Sequence, residues 1–295
     1  LVVRKYLIKN CNYKVVLIVR GNLKVKEYLN SKKIDFLFLK KNSSKKEISF
    51  LKKNRYFDIS IIEMLNPKIS LQKLYLKNSK KLIIFDDVLK EKYISDVLIS
   101  AQNTNINPSK KKKTKFYSGY KYFPFNDTFE KHRNKSKKIK KRLTKITVFL
   151  GGSLYEKLLI KIAVKLSNLQ NIKVKFIIGA ELNKNFVTNI KNISSNFKII
   201  KLPKNLSHIL YESDLIISGG GYTKIESAYV CTPQISIAVH DHQLELLEEF
   251  KKKFNIIYLK KSELDLINEK IEKFTYKKRL HPVSYTHLRA HETRH

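Results

Sequence analysis

Apolar runs of strand length alternate along this chain with longer stretches of helical periodicity. Leu1–Asn10 reads as a helix, and Lys14–Val19 (KVVLIV), apolar on both faces, as a buried parallel strand. Asn22–Lys33 is amphipathic and predicts a helix, and Asp35–Leu39 (DFLFL) a second strand. A Lys-rich helix follows, then a strand at Asp58–Ile62 (DISII). Pro67 opens the next helix, since proline suits a first turn. Lys81–Phe85 (KLIIF), ending in Asp86 and Asp87, and the shorter Val97–Ser100 complete this set of strands. Strands alternating with helices predict a parallel sheet with right-handed crossovers.

The rhythm breaks and then restarts. Asn103–Lys115 is polar and reads as a loop, Phe116–Phe125 (FYSGYKYFPF) is aromatic, and Phe129–Arg142 reads as a solvated basic linker with a short helix. Strands then follow at Ile146–Leu150, Lys173–Ile178, Phe197–Ile200, Leu215–Ser218, Gln234–Val239 and Ile256–Leu259. The helices between them are Tyr155–Leu169, Glu181–Ile193, Asn205–Tyr211 with Asn205 as cap, Tyr222–Val230, Asp241–Phe254 and Ser262–Phe274. The fold class expected is therefore α/β, with two Rossmann-like, doubly wound parallel-sheet domains facing a cleft. Ligands of such sheets bind outside the carboxyl ends of the strands. The expected division is a first domain over 1–125, a linker over 126–143, a second, nucleotide-binding domain over 144–278, and a tail over 279–295.

Charge changes this picture little. The chain has 295 residues and a formal net charge of +36, which on its face suggests nucleic acid. Yet 8 of the 61 basic residues are Arg, and Lys, Asn, Ile, Tyr and Phe, all with codons rich in A and T, are abundant together. Base and phosphate readers favour the planar Arg fork, so compositional bias explains the charge better than specific nucleic-acid binding. The charge still attracts anionic ligands and, peripherally, acidic membrane surfaces. No apolar run approaches the about 18 residues of a spanning helix, and no signal peptide is evident, so a cytoplasmic location is expected. Cys11 and Cys231 form no disulfide framework or zinc site and read as small core residues.

Arg279–His295 differs from the rest. Its 17 residues contain no Lys but four of the eight His. His287, His291 and His295 are spaced for one helical face, yet the break in composition favours a foreign segment, with the natural C-terminus missing.

The strongest local signal is SDLIISGGGYTKIESAY, Ser213–Tyr229, where a strand ends in Gly219, Gly220 and Gly221 and gives way to a helix. Glycines permit close approach and positive φ, and a helix start offers N–H groups to a phosphate. Thr223 supplies a hydroxyl, and Glu226 a carboxylate able to accept two ribose hydroxyls. The plainer alternative is a tight turn with Glu226 as a cap. A second glycine turn, Gly151, Gly152 and Ser153, also follows a strand, and alone reads as a turn with Ser153 capping. The third signal is His240–Gln243 (HDHQ). Histidines two apart point away from each other on a strand, and no third ligand is evident, so no metal is expected. Contacts from His240 and His242 to a sugar or phosphate, or capping by Asp241, are the readings left.

The order strand–GGS–helix, strand–SGGGYT..E–helix, strand–HDHQ resembles the UDP-sugar-binding half of two-domain, GT-B glycosyltransferase-like proteins. With FDISII (Phe57–Ile62), KLIIFDDV (Lys81–Val88), DVLISAQNTN (Asp96–Asn105) and YSGYKYFPF from Tyr117, the chain is similar to the UDP-2,4-diacetamido-2,4,6-trideoxy-β-L-altropyranose hydrolases of pseudaminic acid synthesis and their spore-coat polysaccharide relatives. The resemblance covers about residues 1–275. It implies UDP held by Gly219, Gly220, Gly221, Thr223, Glu226 and Gln243, with Gly151–Ser153 lining the cleft, and Arg4, Tyr222, His240 and His242 near the sugar or phosphate. It implies no cofactor.

Arg4 matches the Arg of a GHxxR-like segment in these hydrolases, which places Leu1 on the catalytic His position. The resemblance thus puts that His and the first strand at or before Leu1, and predicts weak UDP binding and no hydrolase activity for the chain as given. Two departures stand out: Tyr222 replaces a Ser common beside the phosphate, and Glu63 stands near an Asp position. The expected function is a UDP-sugar hydrolase releasing UDP by water attack at the anomeric carbon, in nonulosonic acid synthesis. The alternatives are a glycosyltransferase of the same fold, acting on a lipid or protein acceptor, and a noncatalytic polyanion binder.

Overall fold

The computed structural model describes residues 1–40, 44–53, 56–104, 114–132, 135, 137–152, 155–179, 184–274 and 276. The suspected tail, including His287, His291 and His295, lies outside the described residues, as does Ser153. The chain divides into two compact units, Leu1–Pro124 and Phe125–His295.

The first unit runs α1 (Val2–Cys11), β1 (Ile18–Gly21), α2 (Leu23–Ser31), β2 (Leu37–Lys40), α3 (Ser44–Lys53), β3 (Phe57–Glu63), α4 (Ile69–Lys77), β4 (Ser79–Phe85), β5 (Val97–Ser100) and β6 (Lys115–Ser118), with a 3-10 turn at Tyr120–Tyr122. Instead of one sheet, the described strands form two parallel sheets, β1-β2 and β3-β4-β5-β6. No described strand pairs with both β1 and β3, and this separates them. One carboxylate gathers elements of both sheets: Glu47 on α3 pairs with Arg20 of β1 and accepts the hydroxyl of Tyr75 on α4 at 2.6 Å. Burial and that bond push the Tyr75 phenol well up.

Several boundaries move for local reasons. The apolar run at Lys14 joins the ladder only at Ile18, because its partner begins at Leu37. Asn22 starts α2 by accepting the Val25 amide at 3.1 Å. Pro67 stands two residues before α4, where its carbonyl accepts from the buried Gln72 at 2.7 Å. The strand β6 straddles the expected loop and the start of the aromatic stretch; it pairs with β5 from Val97↔Lys115. Cys11, expected in a core, is exposed at the end of α1, and Cys231 is only half-buried.

The second unit runs α5 (Asp127–Glu130), β7 (Lys145–Phe149), α6 (Glu156–Leu166), β8 (Lys173–Ile178), α7 (Lys184–Ile193), β9 (Phe197–Lys201), α8 (Leu206–Glu212), β10 (Leu215–Gly219), α9 (Thr223–Tyr229), β11 (Gln234–Ala238), α10 (His242–Lys253), β12 (Ile257–Lys260), a 3-10 segment Lys261–Leu266, and α11 (Ile267–Lys273). Its six strands are all parallel, in the order β12-β11-β10-β7-β8-β9. The order reverses beside β7, the arrangement of a doubly wound sheet. Asn205 caps α8 as expected, accepting the His208 amide at 3.2 Å. Helix α6 and helix α11 pack with α7 over one hydrophobic cluster that includes Val148, Ile162, Phe176, Ile217 and Ile271.

The basic stretch expected as a solvated linker is partly built into this unit. Phe125 and Phe129 pack against the buried Tyr229. Lys137 donates to the carbonyls of Tyr211 and Ser213 and to the Thr232 hydroxyl. Lysine periodicity gave no hint of this, because one ammonium fitted to a ring of acceptors leaves no repeat in the sequence.

Candidate functional site

Three loops of the second unit meet at the carboxyl ends of adjacent strands. They follow β7 (Gly151, Gly152), β10 (Gly219–Gly221) and β11 (Val239–Asp241), and β10 lies between the other two. Direct contacts join them. A methyl built on Gly219 would lie 2.6 Å from the Leu150 carbonyl oxygen, and one on Gly220 would lie 2.8 Å from Cβ of Gln243. The Tyr155 hydroxyl and Nε2 of His240 are 3.0 Å apart.

The glycines therefore divide into two kinds. Gly219 and Gly220 are needed because the protein itself crowds them. Gly151, with φ at +113°, Gly152 and Gly221 have nothing within 4 Å of an added methyl, so open space faces them. The positive φ expected of the triplet is found instead in the other turn, at Gly151.

Thr223 begins α9 and is buried; Tyr222 before it is exposed. Glu226, one turn on, is half-buried, and no partner for its carboxylate is found among the described residues. Burial pushes its pKa up to about 7. The capping alternative for Glu226 is not what is seen, since it lies inside the helix and bonds no turn amide among those described.

His240 and His242 do not diverge as on a strand. The chain turns at Val239, and the two rings stack with centroids 5.5 Å apart and planes 9° from parallel. Asp241 occupies the cap position of α10 but makes no side-chain cap bond. Gln243 holds the turn instead, its carboxamide oxygen accepting the Val239 amide at 2.8 Å and the His240 amide at 3.4 Å. Its oxygen is thus occupied within the loop, and its packing against Gly220 joins two of the three turns. Beside it, at the ends of β11 and β12, an open hollow of about 490 Å³ is lined by His240, Asp241, Leu244, Lys260 and Lys261 among others. Arg4 belongs to the first unit, half-buried on α1, with its Nε lacking a partner among the described residues.

Sequence reasoning missed Lys224. It is fully buried, and its ammonium donates to the carbonyls of Gly220 at 2.8 Å and Gly221 at 3.3 Å. Placed one residue after Thr223 in a chain rich in Lys, it gave no signal. Among the described residues, no group of three His, Cys, Asp or Glu side chains is placed to hold a metal, and no helix is long and apolar enough to cross a membrane.

A parallel sheet with paired glycine turns and a half-buried acid one helical turn on make up the candidate site, within a fold of two Rossmann-like α/β units. Residues 146–291 match the glycosyltransferase family 28 C-terminal domain. Among curated proteins, the uncharacterized protein MJ1062 of Methanocaldococcus jannaschii is 24% identical over 222 residues, covering 70% of this chain and 46% of that protein. The chain thus spans about half the length of that relative. Solved structures share the fold at low identity. UGT89C1 of Arabidopsis thaliana, complexed with UDP-L-rhamnose, superposes with a TM-score of 0.56 at 11% identity, over 98% of this chain and 89% of its own. A putative UDP-N-acetylglucosamine 2-epimerase from Listeria monocytogenes gives 0.54 at 11%, over 98% and 89%. MurG of Acinetobacter baumannii gives 0.50 at 14%, over 94% and 99%.

Proposed function

We propose that the second unit binds the UDP portion of a UDP-sugar, and that the whole protein breaks the bond between the anomeric carbon and the diphosphate, passing the sugar to an acceptor. The match of residues 146–291 to a glycosyltransferase domain carries this reading. It takes in the three loops that meet at the strand ends. In it, Gly151, Gly152 and Gly221 leave room for the diphosphate, and Thr223 and Glu226 meet the ribose hydroxyls. His240 and His242 face the sugar or the phosphate. UDP leaves with the electron pair of the broken bond, and the acceptor hydroxyl gives up its proton as it bonds to the anomeric carbon.

Hydrolysis, with water as acceptor, is the second reading. The first-half segments Phe57–Ile62, Lys81–Val88 and Asp96–Asn105 favour it, through their likeness to UDP-sugar hydrolases.

Calorimetry with UDP and CDP at two salt concentrations tests the site. Saturable binding that prefers UDP, survives salt and is lost in Glu226→Ala is the expected result. Binding that ignores the base and falls steeply with salt would instead mark a polyanion binder. UDP release from a UDP-sugar in water alone, against release that needs an added acceptor, then separates hydrolysis from transfer.

A further inference from the structure

We propose that Lys224 is a positioning residue for the diphosphate of the bound nucleotide, acting from inside the protein through the glycine turn. This rests on the reading of that turn as the nucleotide site. Lys224 sits at the second position of α9 and is wholly buried. Burying an ammonium is unfavourable unless it is well partnered. The partners are specific. Two carbonyls of the turn, those of Gly220 and Gly221, accept its hydrogen bonds, and the ring of Phe250 on α10 lies 5.5 Å from the nitrogen.

The orientation of those carbonyls has a consequence on the other side of the chain. Every peptide bond described is trans. In a trans peptide the N–H points opposite the C=O. With the Gly220 and Gly221 carbonyls turned inward to Lys224, the N–H groups of Gly221 and Tyr222 turn outward. A methyl built on Gly221 would meet nothing within 4 Å, so the turn is open at that residue. Consecutive outward amides make a concave seat for an anion. The Lys224 charge lies directly behind that seat, where surrounding protein screens it less than water would. The backbone of Lys224 is itself fixed, because its carbonyl accepts from the buried Gln234 at 2.9 Å.

The test compares UDP with uridine, which shares the base and ribose but has no phosphate. Binding to the full chain is measured by calorimetry for the unaltered protein and for Lys224→Met, Lys224→Gln and Glu226→Ala, with circular dichroism to establish folding. Lys224→Met removes charge and donor at similar volume, whereas Lys224→Gln removes the charge but keeps an N–H donor on a shorter side chain. The expected result is a loss in UDP affinity of about tenfold to a hundredfold in Lys224→Met, with uridine changed by less than about twofold. Lys224→Gln should lose less UDP affinity than Lys224→Met and leave uridine unchanged. Equal losses for both ligands, or no loss for either, in the folded variants would overturn the proposal. Glu226→Ala should weaken both ligands together. If it weakens neither, the nucleotide reading of the site fails, and that result is distinct from a failure at Lys224 alone.

Discussion

The Tyr155 hydroxyl lies 3.0 Å from Nε2 of His240, linking the start of the first helix after the β7 turn to the loop after β11. Tyr155 is half-buried and His240 exposed, so the bond contributes little to folding. Its effect is to fix the direction of an imidazole that stacks on His242. Tyr155→Phe keeps the ring packing and removes the bond. We expect a stability change within about 0.5 kcal/mol, as for surface positions, but a several-fold weaker affinity for a UDP-sugar. Affinity for UDP itself should change less. Equal weakening of both would mean that His240 does not face the sugar.

The two kinds of glycine predict opposite behaviour for one substitution. Gly219→Ala puts a methyl 2.6 Å from the Leu150 carbonyl, a backbone atom that cannot step aside without moving β7. A loss of about 1–3 kcal/mol is expected in chemical denaturation of the second unit. Gly221→Ala meets open space, so stability should hold within about 0.5 kcal/mol while UDP affinity falls, because the methyl occupies room the phosphate needs. If Gly221→Ala binds UDP as well as the unaltered protein, the phosphate lies elsewhere.

These differences show what a sequence exposes and what it hides. The strands Lys173–Ile178 and Val97–Ser100 were legible to the residue, because apolar runs bounded by polar turns mark buried parallel strands. The three loops of the site were legible as motifs. Their inner workings were not. That Gly219 answers to Leu150 is a contact between distant positions, and a local pattern carries no trace of it. That Gln243 holds the histidine loop and that Lys224 braces the glycine turn are contacts within four residues, but each depends on a side-chain direction that residue spacing leaves open. The stacking of His240 on His242 was misjudged for the same reason: strand geometry was assumed where the chain turns. The split of the first unit into two sheets depends on which strands pair, which periodicity within each strand does not determine.

Lys137 couples the stability of the second unit to pH. Burial pushes its pKa down to about 7, against the pull of Asp214, whereas an exposed lysine titrates at its ordinary 10.5. Between those values the unfolded chain binds more protons than the folded one, so stability should rise as pH increases from about 7 towards 10. The hydrogen bonds from Lys137 to Tyr211, Ser213 and Thr232 favour the ammonium and reduce the effect. A gain of about 2 kcal/mol over that window is therefore expected, less than the bare shift implies. Lys137→Met should flatten the rise in urea midpoints, and an unchanged slope in that variant would assign the effect to other groups.

Glu226 titrates in the opposite sense and ties folding to binding. Burial lifts its pKa from 4.5 to about 7, so between these values the folded protein keeps a proton that the unfolded chain has released. Stability should therefore fall as pH rises from 4.5 to 7, and Glu226→Gln should remove that fall. The proposed ribose contact would work the other way. A carboxylate accepts two hydroxyl bonds, whereas the protonated acid offers fewer acceptor sites. Uridine is the useful probe, since it has no phosphate to titrate. Its affinity should increase as pH rises through about 7 in the unaltered protein, and stay level in Glu226→Gln. The two measurements together are decisive: a stability slope that disappears in Glu226→Gln, with uridine affinity independent of pH in both proteins, would show that the raised pKa belongs to Glu226 but that the ribose does not bind to it.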